Sequence, residues 1–238
     1  PHNPTAQFVG SVRLYKRQFT NKDDIDHLFA AIKEKYPLKI DWDGTKYIGI
    51  DLEWDYKNRE AKLSMKGYVK RALQQFQHPT PTKHHYGPTK YIAPEYGKKI
   101  QYSTEDTSPE LTPLQRKHIQ KVCGKFLYDG RSVDNTQLHA LNELSIKATT
   151  ATEETQSALT QFLNYCASNP DATIIYRASD MILSCDSDAA YLVAPKSRSR
   201  AGGYHYLGNK DGTQFNGPIY VLAKIINAVM ASAAEAEV

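Results

Sequence analysis

Two places in the sequence carry carboxylates that could hold a divalent cation. Asp186 and Asp188 follow an apolar run that predicts a strand, and Glu235 and Glu237 lie near the beginning of a predicted C-terminal helix. Mg²⁺ prefers oxygen ligands and often keeps waters or substrate phosphates in its coordination shell. By itself, the Asp-x-Asp spacing after a strand is more often that of a turn with capping carboxylates. Both interpretations of the aspartates therefore stay open at this point.

Helix geometry separates the two glutamates. Ser232 and Glu235 have the Ser-x-x-Glu spacing of a capping box, which gives Glu235 a structural role at the helix N-terminus. Glu237 lies two residues later and about 200° around the helix axis, so it faces in another direction. We therefore expect Glu237, and not Glu235, to face Asp186.

Basic residues form three clusters, at 13–17, 66–71 and 196–200, with tyrosines nearby. Lysine and arginine neutralise phosphates, and aromatic rings stack on bases. The formal net charge of +4 permits a polyanionic partner without requiring one. Solvated basic faces over an ordinary core explain the same residues, so both interpretations remain.

The histidines and cysteines give weaker signals. His84 and His85 lie in a Pro-rich segment without a third ligand, which favours a loop over a metal site. Cys123, Cys166 and Cys185 lie in apolar runs, which predicts core packing. Their odd number and lack of a Cys-x-x-Cys pair indicate a reducing, intracellular compartment, either cytoplasm or nucleus. No apolar run approaches the ~20 residues that a membrane span needs, so we expect no membrane partner.

The helices and strands predicted to position these residues indicate an α+β fold. Residues 77–112 are rich in Pro, Thr, His and Lys and predict an irregular, exposed connection. Apolar periodicity predicts helices at 22–36, from about 66 to 76, from 113, at 136–148, at 153–168 and near the C-terminus. Alternation predicts a first sheet with strands at 47–50, 52–54 and 61–63, and a second sheet with strands at 173–176, 181–186, 203–207 and 219–222.

The helix that begins at residue 113 has the clearest start signal. Thr112 is its predicted N-cap, and Pro113 takes the first helical position. Its predicted apolar stripe begins at Leu114, passes through Ile119 and ends at Leu127.

Several segments, taken in order, resemble the Pol polyprotein of copia-type LTR retrotransposons, from the end of the reverse transcriptase into RNase H. Residues 47–52 (YIGIDL) resemble the strand that carries the primer grip, and residues 65–69 (MKGYV) resemble the start of the first helix after the palm. Residues 124–128 (GKFLY) and 131–134 (RSVD) resemble the helical region before RNase H.

The C-terminal segments continue the resemblance, which spans roughly residues 8–238. Residues 185–189 (CDSDA) resemble the first RNase H strand, residues 197–204 (SRSRAGGY) the second-strand region, and residues 231–237 (ASAAEAE) the first helix. The resemblance implies the end of a reverse-transcriptase palm, a helical thumb or connection and the first half of an RNase H-like fold. The implied regions are 1–76, palm remnant and start of the thumb; 77–112, irregular connection; 113–170, helical thumb or connection; and 171–238, truncated RNase H-like domain.

The resemblance also implies a chemistry. RNase H of this family gathers four acidic groups around two metal ions to hydrolyse RNA in an RNA–DNA hybrid. Asp186 matches the first-strand aspartate and Glu237 the first-helix glutamate, which makes both expected Mg²⁺ ligands and catalytic residues. The other two ligands are expected beyond Val238, so we expect weak Mg²⁺ binding.

The polymerase end departs from the family. A comparison without gaps puts residues 12–14 (VRL) where the family has a Val-Asp-Asp or Met-Asp-Asp hairpin. Arg13 cannot ligate Mg²⁺. The residues expected to contact nucleic acid are Ile48, Gly49, Lys66, Lys70, Arg71, Arg198 and Arg200.

The expected function is therefore that of a catalytically inactive retrotransposon piece with weak, salt-dependent binding to an RNA–DNA hybrid or nucleic-acid backbone. A first alternative is a portion of an active RNase H that residues beyond the chain or a partner complete. A second alternative is a protein-interaction module that self-associates through the edge of an incomplete RNase H sheet.

Overall fold

The computed structural model describes residues 22–36, 43–91, 106–194 and 198–236, and the chain divides into two units, residues 1–53 and 54–238. Within the described residues the fold is α+β, with six α-helices, one 3₁₀ turn and two antiparallel sheets. The sheets have the strand orders β1-β2-β3-β4 and β5-β6-β7. No helix in these ranges is both long and apolar enough to cross a membrane.

The first unit contains a short helix and a tight hairpin. Helix α1 (Lys22–Lys33) confirms the predicted helix and ends three residues earlier than expected. Strands β1 (Lys46–Tyr47) and β2 (Ile50–Asp55) pair antiparallel, with Lys46 opposite Asp51. The predicted continuous strand 47–50 is wrong, because residues 48 and 49 both have positive φ, 50° and 84°, as a two-residue hairpin turn requires.

Within the second unit, β3 pairs with a strand that lies far along the chain. Strands β3 (Glu60–Ser64) and β4 (Thr173–Arg177) are antiparallel, and Arg177 Nε lies 3.0 Å from Glu60 Oε1. The expectation that a second sheet begins at residue 173 is therefore wrong. Alternation identifies a strand but not its partner, and β3 offered an open edge. The second sheet begins with β5.

The helices between β3 and β4 pack into one core. Phe126 and Phe162 are fully buried and meet edge to face, with ring centroids 5.3 Å apart. Capping boxes at Thr112 and Thr152 begin two of the helices. The helices are α2 (Tyr68–Gln75), α3 (Pro113–Ser132), α4 (Leu138–Lys147) and α5 (Glu153–Ser168), with a 3₁₀ turn at Asn135–Gln137. All four helix predictions are confirmed: α5 has the predicted bounds, and the ends of the others differ by at most two residues where the prediction gave them.

One part of the predicted α3 stripe is wrong. Leu114 is 79% exposed, whereas Ile119 is fully buried. The two positions lie about 140° apart around the helix axis, so Leu114 cannot share the buried face. Leu127, at the edge of the stripe, is 36% exposed.

The second sheet consists of three long strands, and a short helix packs on it. The strands are β5 (Ile182–Ala194), β6 (Arg198–Gly208) and β7 (Pro218–Ile225). Helix α6 (Ala233–Ala236) packs on β5 and β6. Strand β5 continues well beyond residue 186, so the prediction that Asp186 lies at the end of the strand is wrong. Cys185 is exposed, against expectation, because residues 185–188 of this edge strand are exposed on both faces. Cys123 and Cys166 are buried, as expected.

Candidate nucleic-acid interface

Asp186 lies in the middle of β5, with its carboxylate exposed and Tyr204 opposite it on β6. Asp188 is two residues further, so the two carboxylates share one face of the strand. Within the described residues, no group of three His, Cys, Asp or Glu side chains could hold a metal ion. Glu237, the predicted second ligand, lies outside the described residues. These described donors therefore do not fit a two-metal site, and the pairing of Asp186 with Glu237 stays a prediction.

Glu235 has the structural role that its spacing predicts. The Glu235 amide donates to Ser232 Oγ at 3.1 Å, and Glu235 Oε2 accepts from the Ala231 amide at 2.5 Å. The carboxylate thus reaches the residue before Ser232, one position earlier than in a standard capping box. This bond holds Glu235 at the beginning of α6.

Three exposed cations lie at the beginning of α2 and form what we term the α2 basic surface, namely Lys66, Lys70 and Arg71. Helix α2 begins after Gly67, which has φ 71° and supplies no side-chain cap. Lys70 Nζ lies 3.6 Å from Asp171 Oδ2, with both side chains more than 60% exposed. Exposed pairs of this kind contribute little free energy, so a phosphate can replace the aspartate. A cavity of about 390 Å³ adjoins Lys66 and Lys70.

Tyr68 fixes this surface on the helical core. Its hydroxyl donates to the Lys125 carbonyl oxygen at 2.8 Å, and Lys125 Nζ lies 5.0 Å from the centre of the Tyr68 ring. Partial burial, together with the charges of nearby Asp129 and Tyr128, raises the pKa of Tyr68. Tyr68 is therefore a positioning contact between α2 and α3, and its ring is engaged by a cation.

The remaining predicted contacts occupy three different settings. Ile48, 61% exposed, and Gly49 form the tip of the β1–β2 hairpin in the first unit. Arg200 forms an ion pair with Glu143 and donates to Asn142 Oδ1 at 3.3 Å, and burial lowers the pKa of its guanidinium. Arg198 is half-buried at the first position of β6. Residues 12–17, 196 and 197 lie outside the described residues.

The segment of residues 77–91 is irregular, as expected, but polar contacts hold it along α5. His78 Nε2 lies 2.8 Å from Asn164 Oδ1, and His85 Nδ1 lies 3.1 Å from Gln161 Oε1. Gln161 also donates to the Gly87 carbonyl oxygen at 2.8 Å. The two histidines thus attach the segment to the core, an arrangement that adjacent residues alone could not predict.

Sequence reasoning also missed a cavity of about 430 Å³ between the helices and β7. One wall is a stripe of α4 that ends in Asn142 and Ser145, and the other is strand β7 with Tyr176 of β4. The α4 residues have helical i, i+3, i+4 spacing, which predicts a buried stripe. Only the distant β7 segment turns the end of that stripe into a cavity wall.

Comparison with known proteins found no matching family model, no matching curated protein and no matching solved structure.

Proposed function

We propose that this chain is part of the Pol polyprotein of a copia-type LTR retrotransposon, spanning the end of the reverse transcriptase and the beginning of RNase H. Its activity by itself is binding to the sugar-phosphate backbone of an RNA–DNA hybrid, without nucleotide addition or strand cleavage. The ordered resemblance of segments from residue 8 to residue 238 supports the family. The α2 basic surface supports the binding.

The α2 basic surface carries this proposal for a physical reason. Lys66 lies just before α2, and Lys70 and Arg71 lie in its first turn. The Tyr68 contact holds the beginning of α2 on α3. A backbone held in this way presents its cations to phosphates without the entropic cost of ordering a loop. Among the described residues that line the adjoining cavity, Asp171 carries the only carboxylate, and it is itself exposed. Hybrid binding through this surface is electrostatic and therefore sensitive to salt.

Filter binding to a labelled RNA–DNA hybrid at about 50 and about 200 mM salt tests the binding. The triple variant K66Q/K70Q/R71Q should bind more weakly, and its log–log salt slope should fall by about 0.9 for each phosphate that the variant no longer neutralises. The control K117Q/K121Q removes two exposed lysines from α3, one charge fewer than the triple variant, and should bind as the parent chain does. Equal slopes for the parent and the triple variant contradict the proposal.

The absence of catalysis is tested separately. Primer extension and degradation of a labelled heteroduplex, each with Mg²⁺ present, should give no product with this chain, because phosphoryl transfer relies on metal ions for charge stabilisation. Product formation that D186N abolishes would instead support an active RNase H.

A second candidate function, self-association, is favoured by the surface of β5. Met181 precedes this edge strand and is 67% exposed, and Leu183 on the strand is 64% exposed. Exposed apolar edges of this kind pair with other strands. Light scattering should then show a molar mass that rises with protein concentration, that nucleic acid does not change and that L183K reduces. A constant monomer mass excludes this function.

A further inference from the structure

The 430 Å³ cavity between the helices and β7 has a lining that favours a negatively charged ligand. Arg131, at the end of α3, and Lys224, near the end of β7, both line it and are exposed. No aspartate or glutamate is among its described lining residues. Within the described chain, neither cation forms an ion pair. An anionic group therefore meets two available cations and no repelling carboxylate there.

The cavity also presents aromatic surface. Tyr220 lines it, is 55% exposed and stacks on His205, with ring centroids 5.4 Å apart and planes 18° from parallel. Tyr176 lines the same cavity, and its hydroxyl donates to the Pro218 carbonyl oxygen at 2.8 Å. Both rings are thus held in place by their neighbours. Rigid aromatic rings are the surfaces on which nucleobases stack.

Short polar side chains complete the lining. Asn142 and Ser145 of α4, and Ser132 at the end of α3, place amide and hydroxyl groups on the helical wall. Such groups can pair with the edge of a base. The volume of about 430 Å³ lies within the roughly 300–1,000 Å³ that small-molecule sites span.

We propose that this cavity binds a nucleotide, with its base against Tyr220 and its phosphate between Arg131 and Lys224. The shared chemistry is a planar base that carries a phosphate, and it comes either from a free nucleotide or from one unit of a single strand. The site uses none of the cations of the α2 basic surface, so this proposal can be tested independently of the proposal of hybrid binding.

The test measures binding of AMP, of inorganic phosphate and of an oligoadenylate of eight nucleotides to the full chain. Y220L should weaken AMP binding about tenfold, as expected when one aromatic ring no longer stacks on the base. R131Q should weaken AMP and oligonucleotide binding and lower the salt slope for the oligonucleotide by about one. The matched controls Y91L and K121Q change an exposed tyrosine and an exposed lysine elsewhere and should leave binding unchanged.

A steric variant keeps the test decisive if a wall substitution disturbs folding. S145Y fills the cavity from the exposed side of α4 without removing a charge, and it should abolish AMP binding while circular dichroism stays unchanged. Similar affinities for AMP and for the oligoadenylate indicate that the ligand is a free nucleotide. Much tighter binding of the oligoadenylate indicates that the ligand is a single strand. Binding of phosphate as tight as that of AMP, or AMP binding unaffected by Y220L, R131Q and S145Y, overturns the proposal. Retention of AMP binding by K66Q/K70Q/R71Q separates this result from the hybrid assay.

Discussion

The α2–α5 helices and the β5–β7 sheet bury their apolar residues to very different extents. The helices enclose a continuous core in which Phe126 and Phe162 are fully buried. The sheet leaves Leu183, Ile219 and Tyr220 more than half exposed. Burial of apolar area is the main source of folding free energy, so the helices should supply most of the stability. The sheet instead supplies the exposed surfaces on which the cavity and the self-association hypotheses depend.

The largest expected effect breaks the helical core. F126A removes a ring that packs against Phe162 and Phe76, and it should lower the free energy of unfolding by about 3–5 kcal/mol in urea denaturation. L183A on β5 is the matched control, because its side chain is 64% exposed, and it should change the free energy by less than about 0.5 kcal/mol. If F126A and L183A lowered the free energy of unfolding equally, the difference in burial between the helices and the sheet would not correspond to a difference in stability.

The second effect concerns one of the contacts between the two regions. Arg200 of β6 pairs with Glu143 of α4, and their side chains are 12% and 33% exposed. E143Q leaves a largely buried guanidinium without its counterion, and the loss of this charged contact, one-third exposed at Glu143, should cost about 2 kcal/mol. A double-mutant cycle with R200Q measures the pairing itself, and a coupling near zero would remove this ion pair as a link between sheet and helices.

A smaller effect tests a buried acid at the end of α3. Burial is the main cause that raises the pKa of Asp129 to about 6; Gln137, which donates to the carboxylate, acts in the opposite direction, and nearby Asp134 raises the pKa further. The folded state therefore holds a proton that the unfolded state has already released, so stability should fall as pH rises from about 4 to about 6. D129N removes this titration. The free energy of unfolding of D129N, measured relative to that of the parent chain, should therefore be roughly 1–2 kcal/mol higher at pH 7 than at pH 4.

The measurement for D129N is urea denaturation across that pH range, with E154Q as a control for the loss of one negative charge on an exposed helical site. Parallel pH profiles for D129N and the parent chain would contradict the assignment of this titration to Asp129.

The smallest expected change in stability concerns a residue of the β5–β7 sheet. L183K should change the free energy of unfolding by less than about 0.5 kcal/mol, because the residue is 64% exposed. The same substitution should reduce any concentration-dependent association seen by light scattering, since lysine on an edge strand opposes pairing. A marked loss of stability would mean that Leu183 packs within the fold.

The same contrast explains what the sequence could predict. Helix periodicity and local start signals located α2 to α5, and Thr112 caps α3 as predicted, through contacts with Gln115. These signals act over a few residues, so they can be read from adjacent positions. The spacing of Ser232 and Glu235 likewise predicted the capping role of Glu235.

The missed features all depend on contacts between distant segments. Alternation predicted β4 but could not show that it pairs with β3, and an apolar context predicted a buried Cys185 without revealing an open sheet face. Ile48 has high strand propensity, but the hairpin turn overrides it. For the candidate site, the sequence singled out the α2 cations, whereas the cavity at Tyr220 requires residues 127–145, 174–176 and 218–224 to meet.

The pairing of β3 with β4 bears on how the chain folds. During synthesis, Ser64 leaves the ribosome long before its partner Thr173 exists, so the helices must assemble while β3 still has an open edge. Such non-local pairing slows folding and exposes the edge to incorrect partners. A polypeptide that ends at residue 170 would keep that edge permanently open, and it should aggregate even though α2 to α5 are all present.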